Sequence, residues 1–359
     1  MSASHITAIE TEVPKNKVSQ KEALRFMTSM NELNTKESQR LEALYRASGI
    51  KNRYSVLSDY GKTSGFSFYP ADQKKELPTT KVRMDVYAKE AIQLSYGAAT
   101  KCLQSAKINP KSITHLITVS CTGLHAPGQD IELINSLGLK SNVERTAINF
   151  MGCYAAFNAL KLADSHCKAG NAKVLIVCTE LCSIHFQKGK DEDNLLANAL
   201  FGDGSAAVML ESNPTIKSLE LKDKYCDLLP DGKNEMAWGI GQFGFEMKLS
   251  SYVPDIINGG ISRLLENYKP GFDYYAIHPG GKKILQVVEQ ALGITKEMNT
   301  QAHSVLKNYG NMSSPTVLFV LKEIWDNLNS SDHSKEILSM AFGPGLTLES
   351  MTFKINHNA

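Results

Sequence analysis

Cys153, His278 and Asn311 are the residues of this 359-residue chain whose types and surroundings can do covalent chemistry together. Cys153 lies in Asn149-Phe-Met-Gly-Cys153-Tyr-Ala-Ala-Phe157, where an apolar strand run, Thr146 to Met151, turns into an Ala/Leu-rich helix. The first N–H groups of a helix lack intrahelical partners, and the helix dipole adds about half a positive charge there. A thiol at that position is therefore expected to ionise below the usual cysteine pKa of about 8.5. A lone cysteine is more often a small buried hydrophobe, but two later segments argue otherwise. Tyr275-Ala-Ile-His278-Pro-Gly-Gly281 puts a histidine at the end of an apolar strand run, and Tyr309-Gly-Asn311-Met-Ser-Ser-Pro315 puts an asparagine just before a helix.

A nucleophile, a base and an amide donor suit acyl transfer between thiol carriers, because a thiolate attacking a thioester forms another thioester at little cost. The tetrahedral intermediate needs donors for its oxygen. His278 Nε2 and the Asn311 amide can supply two, each worth about 3 to 4 kcal/mol in a transition state. His278 is also expected to hold Cys153 as an ion pair. Papain-like proteases use the same residue types, with asparagine orienting the histidine. If a malonyl thioester enters instead, loss of carbon dioxide leaves an enolate oxygen that needs those same donors. Its carbon then attacks the acyl-cysteine, which is decarboxylative Claisen condensation.

The elements that must position these groups alternate along the chain. His115–Ser120, Arg145–Met151, Lys173–Glu180, Ala206–Leu210, Tyr274–Ile277, Leu338–Phe342 and Leu346–Ile355 read as strands. Val317–Leu321 is ambiguous, but Pro315 in a first turn capped by Ser313 or Ser314 assigns it to a helix reaching about Leu328. Ala156, Phe157, Leu160 and Ala163 trace one face of the helix after Cys153, and Ile284, Leu285, Val288 and Leu292 one face of the helix after His278. The alternation predicts an α/β fold of mainly buried strands, in two similar halves with the active centre between them. The break is expected near Ser212-Asn-Pro214, between residues 1–213 with the cysteine and residues 214–359 with the histidine and asparagine. Leu57 to Lys81 shows no period and reads as a surface excursion long enough to form a lid.

Composition narrows the rest. With 42% hydrophobic and 21% charged residues the chain can bury a substantial core. A net charge of +2, with the charges interspersed, argues against a nucleic-acid surface or a membrane-docking face, though a few basic residues can grip a phosphate group. The N-terminus lacks the basic and apolar regions of a signal peptide, and no apolar run approaches the roughly 20 residues of a membrane span. A cytoplasmic location is expected. Seven scattered cysteines without a C-x-x-C pair indicate neither a disulfide framework nor a zinc site, and Cys178 and Cys182 read as one packed strand face.

The sequence resembles the type III polyketide synthases, the chalcone and stilbene synthase-like branch of the thiolase-fold condensing enzymes, over nearly its whole length. The resemblance rests on Gly152-Cys153, Leu200-Phe201-Gly202-Asp203-Gly204, Ile277-His278-Pro279-Gly280-Gly281, Tyr309-Gly310-Asn311-Met312-Ser313-Ser314 and Phe342-Gly343-Pro344-Gly345-Leu346-Thr347. It implies a duplicated αβαβα layered fold and a homodimer that uses an acyl-CoA starter and malonyl-CoA as extender, with no metal or prosthetic group. It also implies that Cys153 is the loading nucleophile, assisted by His278 and Asn311, and that Phe201 is a gatekeeper between the coenzyme A tunnel and the cavity. Ser313, Gly343 and Pro344 would line the cavity, and Arg40, Arg46, Lys51 and Arg53 would hold the coenzyme A phosphates.

Several positions depart from the plant pattern. The second gatekeeper phenylalanine is Met247, Trp238 replaces a small glycine, two cavity threonines are Cys121 and His185, and an interface methionine is Ala126. The indole is expected to restrict the pocket, and the plant starter does not carry over. A single-step 3-ketoacyl synthase, taking acyl-CoA or acyl carrier protein, is an alternative of the same fold. A non-catalytic acyl-binding partner is an alternative of another class.

Overall fold

The β-branched runs of the sequence pair into one nine-stranded sheet, with Cys153 and His278 just past the ends of two of its strands and Asn311 between two helices. The computed structural model describes residues 3–70, 72, 74–213, 217–250, 253–268 and 271–357. Its strands are β1 His5–Glu12, β2 Asn16–Ser19, β3 Asn52–Ser55, β4 His115–Ser120, β5 Glu144–Asn149, β6 Lys173–Leu181, β7 Asp203–Glu211, β8 Lys217–Leu228, β9 Met236–Gly241, β10 Gly244–Leu249, β11 Tyr274–Ile277, β12 Glu336–Gly343 and β13 Thr347–His357. The helices are α1 Gln20–Asn31, α2 Thr35–Ala47, α3 Thr80–Ser105, α4 Gln129–Leu137, α5 Ala155–Ala169, α6 Glu192–Leu200, α7 Val253–Leu265, α8 Lys282–Leu292, α9 Thr300–Tyr309 and α10 Thr316–Asn327.

The main sheet runs β11-β12-β13-β8-β1-β7-β6-β4-β5, with β9-β10 and β2-β3 as separate two-stranded ribbons. Its two halves meet at a short seam, where His5 faces Glu220 and Ile6 faces Leu219. Helix α5 packs on β4, β6 and β7 of one half and reaches β13 of the other, while α10 packs on β11 and β12 and reaches β1 and β7. These two helices form the central layer of a thiolase-like arrangement, with α3 and α4 outside one half and α7 and α8 outside the other. A helix wedged between the two halves of the sheet must be apolar almost all round. That is why Val317, Leu318, Val320, Leu321 and Ile324 of α10 are all buried, and why its sequence mimics a strand. Its first helical residue is Thr316, with Pro315 as the cap residue rather than Ser313 or Ser314.

Two expectations need correction. Strand β5 is not buried: it is a sheet edge, and its side chains are exposed or half-buried. The described residues of Leu57 to Lys81 lie mostly at the surface, as expected, and the excursion is anchored there, because the buried Asp59 carboxylate accepts hydrogen bonds from the N–H groups of Ser67, Phe68 and Tyr69, each at 2.8 Å. Burial alone would raise the Asp59 pKa, but these donors and the Ser67 hydroxyl outweigh it and hold the carboxyl below its usual value. Tyr60 and Tyr69 of this segment then pack with Phe26 and Phe186. Cys182 lies beyond the end of β6 and lines a cavity, so it does not share a packed strand face with Cys178. The expected break between the halves falls partly on Pro214, which is outside the described residues.

Candidate active site

Between the halves lies a cavity of about 290 Å³ into which Cys153, His278 and Asn311 all project. Cys153 sits in a 3-10 turn, Gly152–Tyr154, between β5 and α5. Gly152 has φ +72°, and a Cβ there would meet Pro344 Cδ at 2.3 Å, so only glycine permits the chain to turn beneath the Gly343-Pro344 loop. Pro344 lines the cavity, whereas Gly343 lies behind it, where a Cβ would press on Tyr154 and the Cys153 backbone nitrogen.

Asn311 is oriented by what surrounds it. Its Oδ1 accepts from the Ser313 N–H at 2.8 Å, and an N–H can meet only the oxygen of the amide. The Nδ2 group is thereby turned toward Cys153 Sγ, 4.0 Å away, and the Gly280 carbonyl, 3.4 Å away. Backbone bonds fix the loop itself: Gly202 N–H donates to the Asn311 carbonyl and Asn311 N–H to the Leu200 carbonyl. His278, at the end of β11, is held by its own N–H donating to the Met340 carbonyl. Among the described residues neither ring nitrogen of this buried histidine has a hydrogen-bond partner.

The electrostatics differ from the sequence-based expectation. Burial pushes the Cys153 thiol up to about 11, more than hydrogen bonding with Ser313 and Asn311 offsets. Burial likewise lowers His278 to about 3. Both shifts favour a neutral thiol beside a neutral imidazole in the substrate-free site, not the expected thiolate–imidazolium pair. Removing Cys153 and His278 from water costs more than one helix terminus restores.

The remaining expected residues separate into lining and non-lining groups. Phe201, Ser313 and Cys121 line the cavity, with Cys121 Sγ 3.2 Å from Ser313 Oγ. Trp238 and Met247 face each other across the β9-β10 ribbon, and Met236 and Leu249, paired two residues along, share their face and complete this wall. His185 does not line the main cavity. It borders a smaller polar recess of about 30 Å³ behind Phe201 and Met247. Its Nδ1 accepts from the Phe245 N–H, so Nε2 carries the proton and donates to the Thr122 carbonyl at 2.7 Å.

Of the basic residues, Arg53 is buried and donates from one terminal nitrogen to the carbonyls of Asn198 and Phe201, both at 2.7 Å. A side chain bracing the Phe201 backbone from inside cannot hold an external phosphate. Arg46 is 77% exposed and paired with Glu42 on the same helix. Arg40 and Lys51 are exposed, and neither lines the cavity.

Glu180 was missed by sequence reasoning. Wholly buried at the end of β6, with its pKa raised by burial, it accepts from the N–H groups of Cys121 and Thr122 and from the Ser314 hydroxyl. It thereby joins the end of β4 to the Asn311 loop. A lone acid in the apolar run Lys173–Leu181 was the available signal. Also missed were Val253, Pro254 and Ile257 of α7, which form an apolar wall, and Lys282 and Lys283 at the start of α8. Among the described residues no group of His, Cys, Asp and Glu is arranged to hold a metal ion.

A buried cysteine, histidine and amide at the meeting of two thiolase-like halves define a condensing enzyme of the acyltransferase type. The profile described as chalcone and stilbene synthases, N-terminal domain, matches residues 2–214, and that of the C-terminal domain matches residues 220–356. The chain belongs to this family, the type III polyketide synthases. It is 29% identical to the alpha-pyrone synthesis polyketide synthase-like Pks18 of Mycobacterium tuberculosis, covering 98% of this chain and 91% of that protein. It is 29% identical to a putative chalcone synthase of Bacillus subtilis, covering 97% and 98%. The crystal structure of PKS-I from the brown alga Ectocarpus siliculosus superposes with a TM-score of 0.91 at 30% identity, covering 99% and 98% of the two chains.

Proposed function

We propose that this enzyme loads an acyl group from an acyl-CoA starter onto Cys153, extends it iteratively with malonyl-CoA, and releases a cyclised polyketide. The observation that carries the reading is the Asn311 Nδ2 group turned toward Cys153 Sγ beside a His278 ring without a hydrogen-bond partner among the described residues. Because thiol and imidazole both favour their neutral forms, loading couples two events: Cys153 Sγ bonds to the starter carbonyl as its proton passes to His278. Collapse of the intermediate breaks the carbonyl bond to the coenzyme A sulfur, which takes that proton. Stabilising the next negative oxygen calls for the opposite tautomer of neutral His278, with its proton on the nitrogen that faces the cavity, donating alongside the Asn311 amide.

When malonyl-CoA replaces the departed thiol, its carboxylate leaves as carbon dioxide and the bonding pair becomes an enolate. The negative oxygen is stabilised by His278 and Asn311, in an apolar cavity where such bonds are strongest. The enolate carbon attacks the acyl carbonyl, and Cys153 leaves as thiolate. Return of the lengthened chain to Cys153 begins the next cycle. None of these steps calls on a metal or a prosthetic group.

The apolar walls from α7 and the β9-β10 ribbon support an acyl starter without charge. A homodimer is part of the proposal, supported by the exposed edge strand β5 and by Val82, Tyr96, Leu124 and Ile131, large apolar side chains that remain exposed. Among the described residues no helix is long and apolar enough to cross a membrane, in keeping with the proposed cytoplasmic location. Incubation with labelled malonyl-CoA and a panel of acyl-CoA starters, with mass spectrometry of the products, tests the function. Failure to release carbon dioxide or extend any starter would refute it.

A further inference from the structure

The main cavity has an uneven charge distribution. Among its described lining residues, those with substantial exposure are Ala47, Lys282 and Lys283, and these mark its mouth. Among the described lining residues Lys282 and Lys283 are also the only ones with a formal charge at neutral pH, since none of these is Asp, Glu or Arg and burial keeps His278 neutral. Helix α2 contributes Leu44 and Ala47 to the lining, followed by Ser48 just past its end, and no cation. Lys282 lies against Gly49, just past α2, where an added Cβ would meet its Cδ at 3.4 Å. The first turn of α8 contains no acid, and neither lysine has an ion-pair partner among the described residues.

We propose that Lys282 and Lys283 form a phosphate grip at the mouth, holding the anionic carrier while its thioester arm reaches Cys153. The inference rests on the proposed use of carrier thioesters and assigns the grip to α8, not to the arginines of α2. Two unpaired ammonium groups at the rim of an apolar cavity suit the separation of charge in the ligand: phosphates outside, an uncharged acyl arm inside. The same chemistry is offered by the phosphates of coenzyme A and by the phosphodiester of a carrier-protein phosphopantetheine arm.

The test compares wild type with Lys282→Glu/Lys283→Glu and Lys282→Gln/Lys283→Gln double variants. The substrates are malonyl-CoA, malonyl-loaded acyl carrier protein and the malonyl thioester of N-acetylcysteamine, which has no phosphate. Acids in a first helical turn are favoured by the helix dipole, so the Glu variant should fold; thermal melting checks this, and the Gln variant provides the neutral control. The expected result is a KM increase of about tenfold or more for a phosphate-bearing carrier, with the larger effect in the Glu variant. The expected kcat change is less than threefold, with no KM change for the N-acetylcysteamine thioester. The carrier showing the increase identifies the phosphate source. Equal losses with all three thioesters, or no KM change with either phosphate-bearing carrier, would overturn the proposal. Calorimetric titration with free coenzyme A reads carrier binding without turnover. If wild type binds coenzyme A and the variants do not, while no thioester is processed, the grip stands and the functional reading falls.

Discussion

Trp238 Nε1 donates a hydrogen bond to the carbonyl of Cys121 at 2.8 Å, fastening the β9-β10 ribbon to the end of β4 across the cavity. The indole is therefore a fixed wall rather than a mobile side chain. Its edge-on contact with Phe245, at a ring separation of 6.0 Å, supports it from behind. Trp238→Gly should enlarge the cavity and shift the products toward longer chains or bulkier starters, at a stability cost of about 3 kcal/mol. Product profiling of the folded variant checks this. An unchanged product ratio from every starter would show that the indole does not limit the pocket.

Cys153→Ala should leave the melting temperature near that of wild type and abolish acyl-enzyme formation, because alanine fits the 3-10 turn and carries no nucleophile. Intact-protein mass spectrometry after exposure to a starter thioester reads the outcome. An adduct persisting on the variant would move the nucleophile to Cys121 or Cys182, the other thiols lining the cavity.

Asn311→Asp should reduce malonyl-CoA decarboxylation about 10²-fold, more than starter loading, since it removes a donor and sets a carboxylate against the developing enolate. The carboxylate can still accept from the Ser313 N–H, so the loop should persist. Carbon dioxide release at the wild-type rate would remove Asn311 from the decarboxylation step.

Alkylation of Cys153 by iodoacetamide should keep accelerating as pH rises above 9, because burial raises its pKa to about 11 and the thiolate is the reactive form. Peptide mapping separates it from the exposed Cys226. A rate that levels off by pH 7 would mean a preformed thiolate–imidazolium pair.

Asp59→Asn should destabilise the protein by about 2 to 3 kcal/mol at pH 7, since two buried charge-assisted acceptors are lost and amide hydrogens replace one of them. The folded-state pKa of Asp59 lies below its unfolded value. Its stabilisation is thus present above about pH 4 and is lost as pH falls through the folded pKa. The melting-temperature gap between wild type and variant should narrow toward pH 2, and a gap independent of pH would contradict the charge assignment.

Short-range information was legible directly from residue order. His115–Ser120 and Tyr274–Ile277 read as strands because their short runs of β-branched, aromatic and apolar residues stop at turn segments, and the observed bounds are the same. The turns around Cys153, His278 and Asn311 could be read because their glycines and small polar residues mark chain reversals. The resemblance carried by those motifs also led to the family. The β9-β10 register set Trp238 opposite Met247, a pairing that depends on a count of residues through the ribbon.

Tertiary structure decided what depends on neighbours distant in sequence. The ionisation of Cys153 and His278 follows from burial between two halves, which no local helix signal reports. Arg53 reads like any other cation among the basic residues of its segment, yet packing turns it inward to the Phe201 carbonyl. Lys282 and Lys283 gain their place at the mouth only because α8 meets the end of α2 across it. Residue order governs local backbone preference and hydrophobic period, whereas desolvation and the direction of long side chains are set by the assembled surroundings.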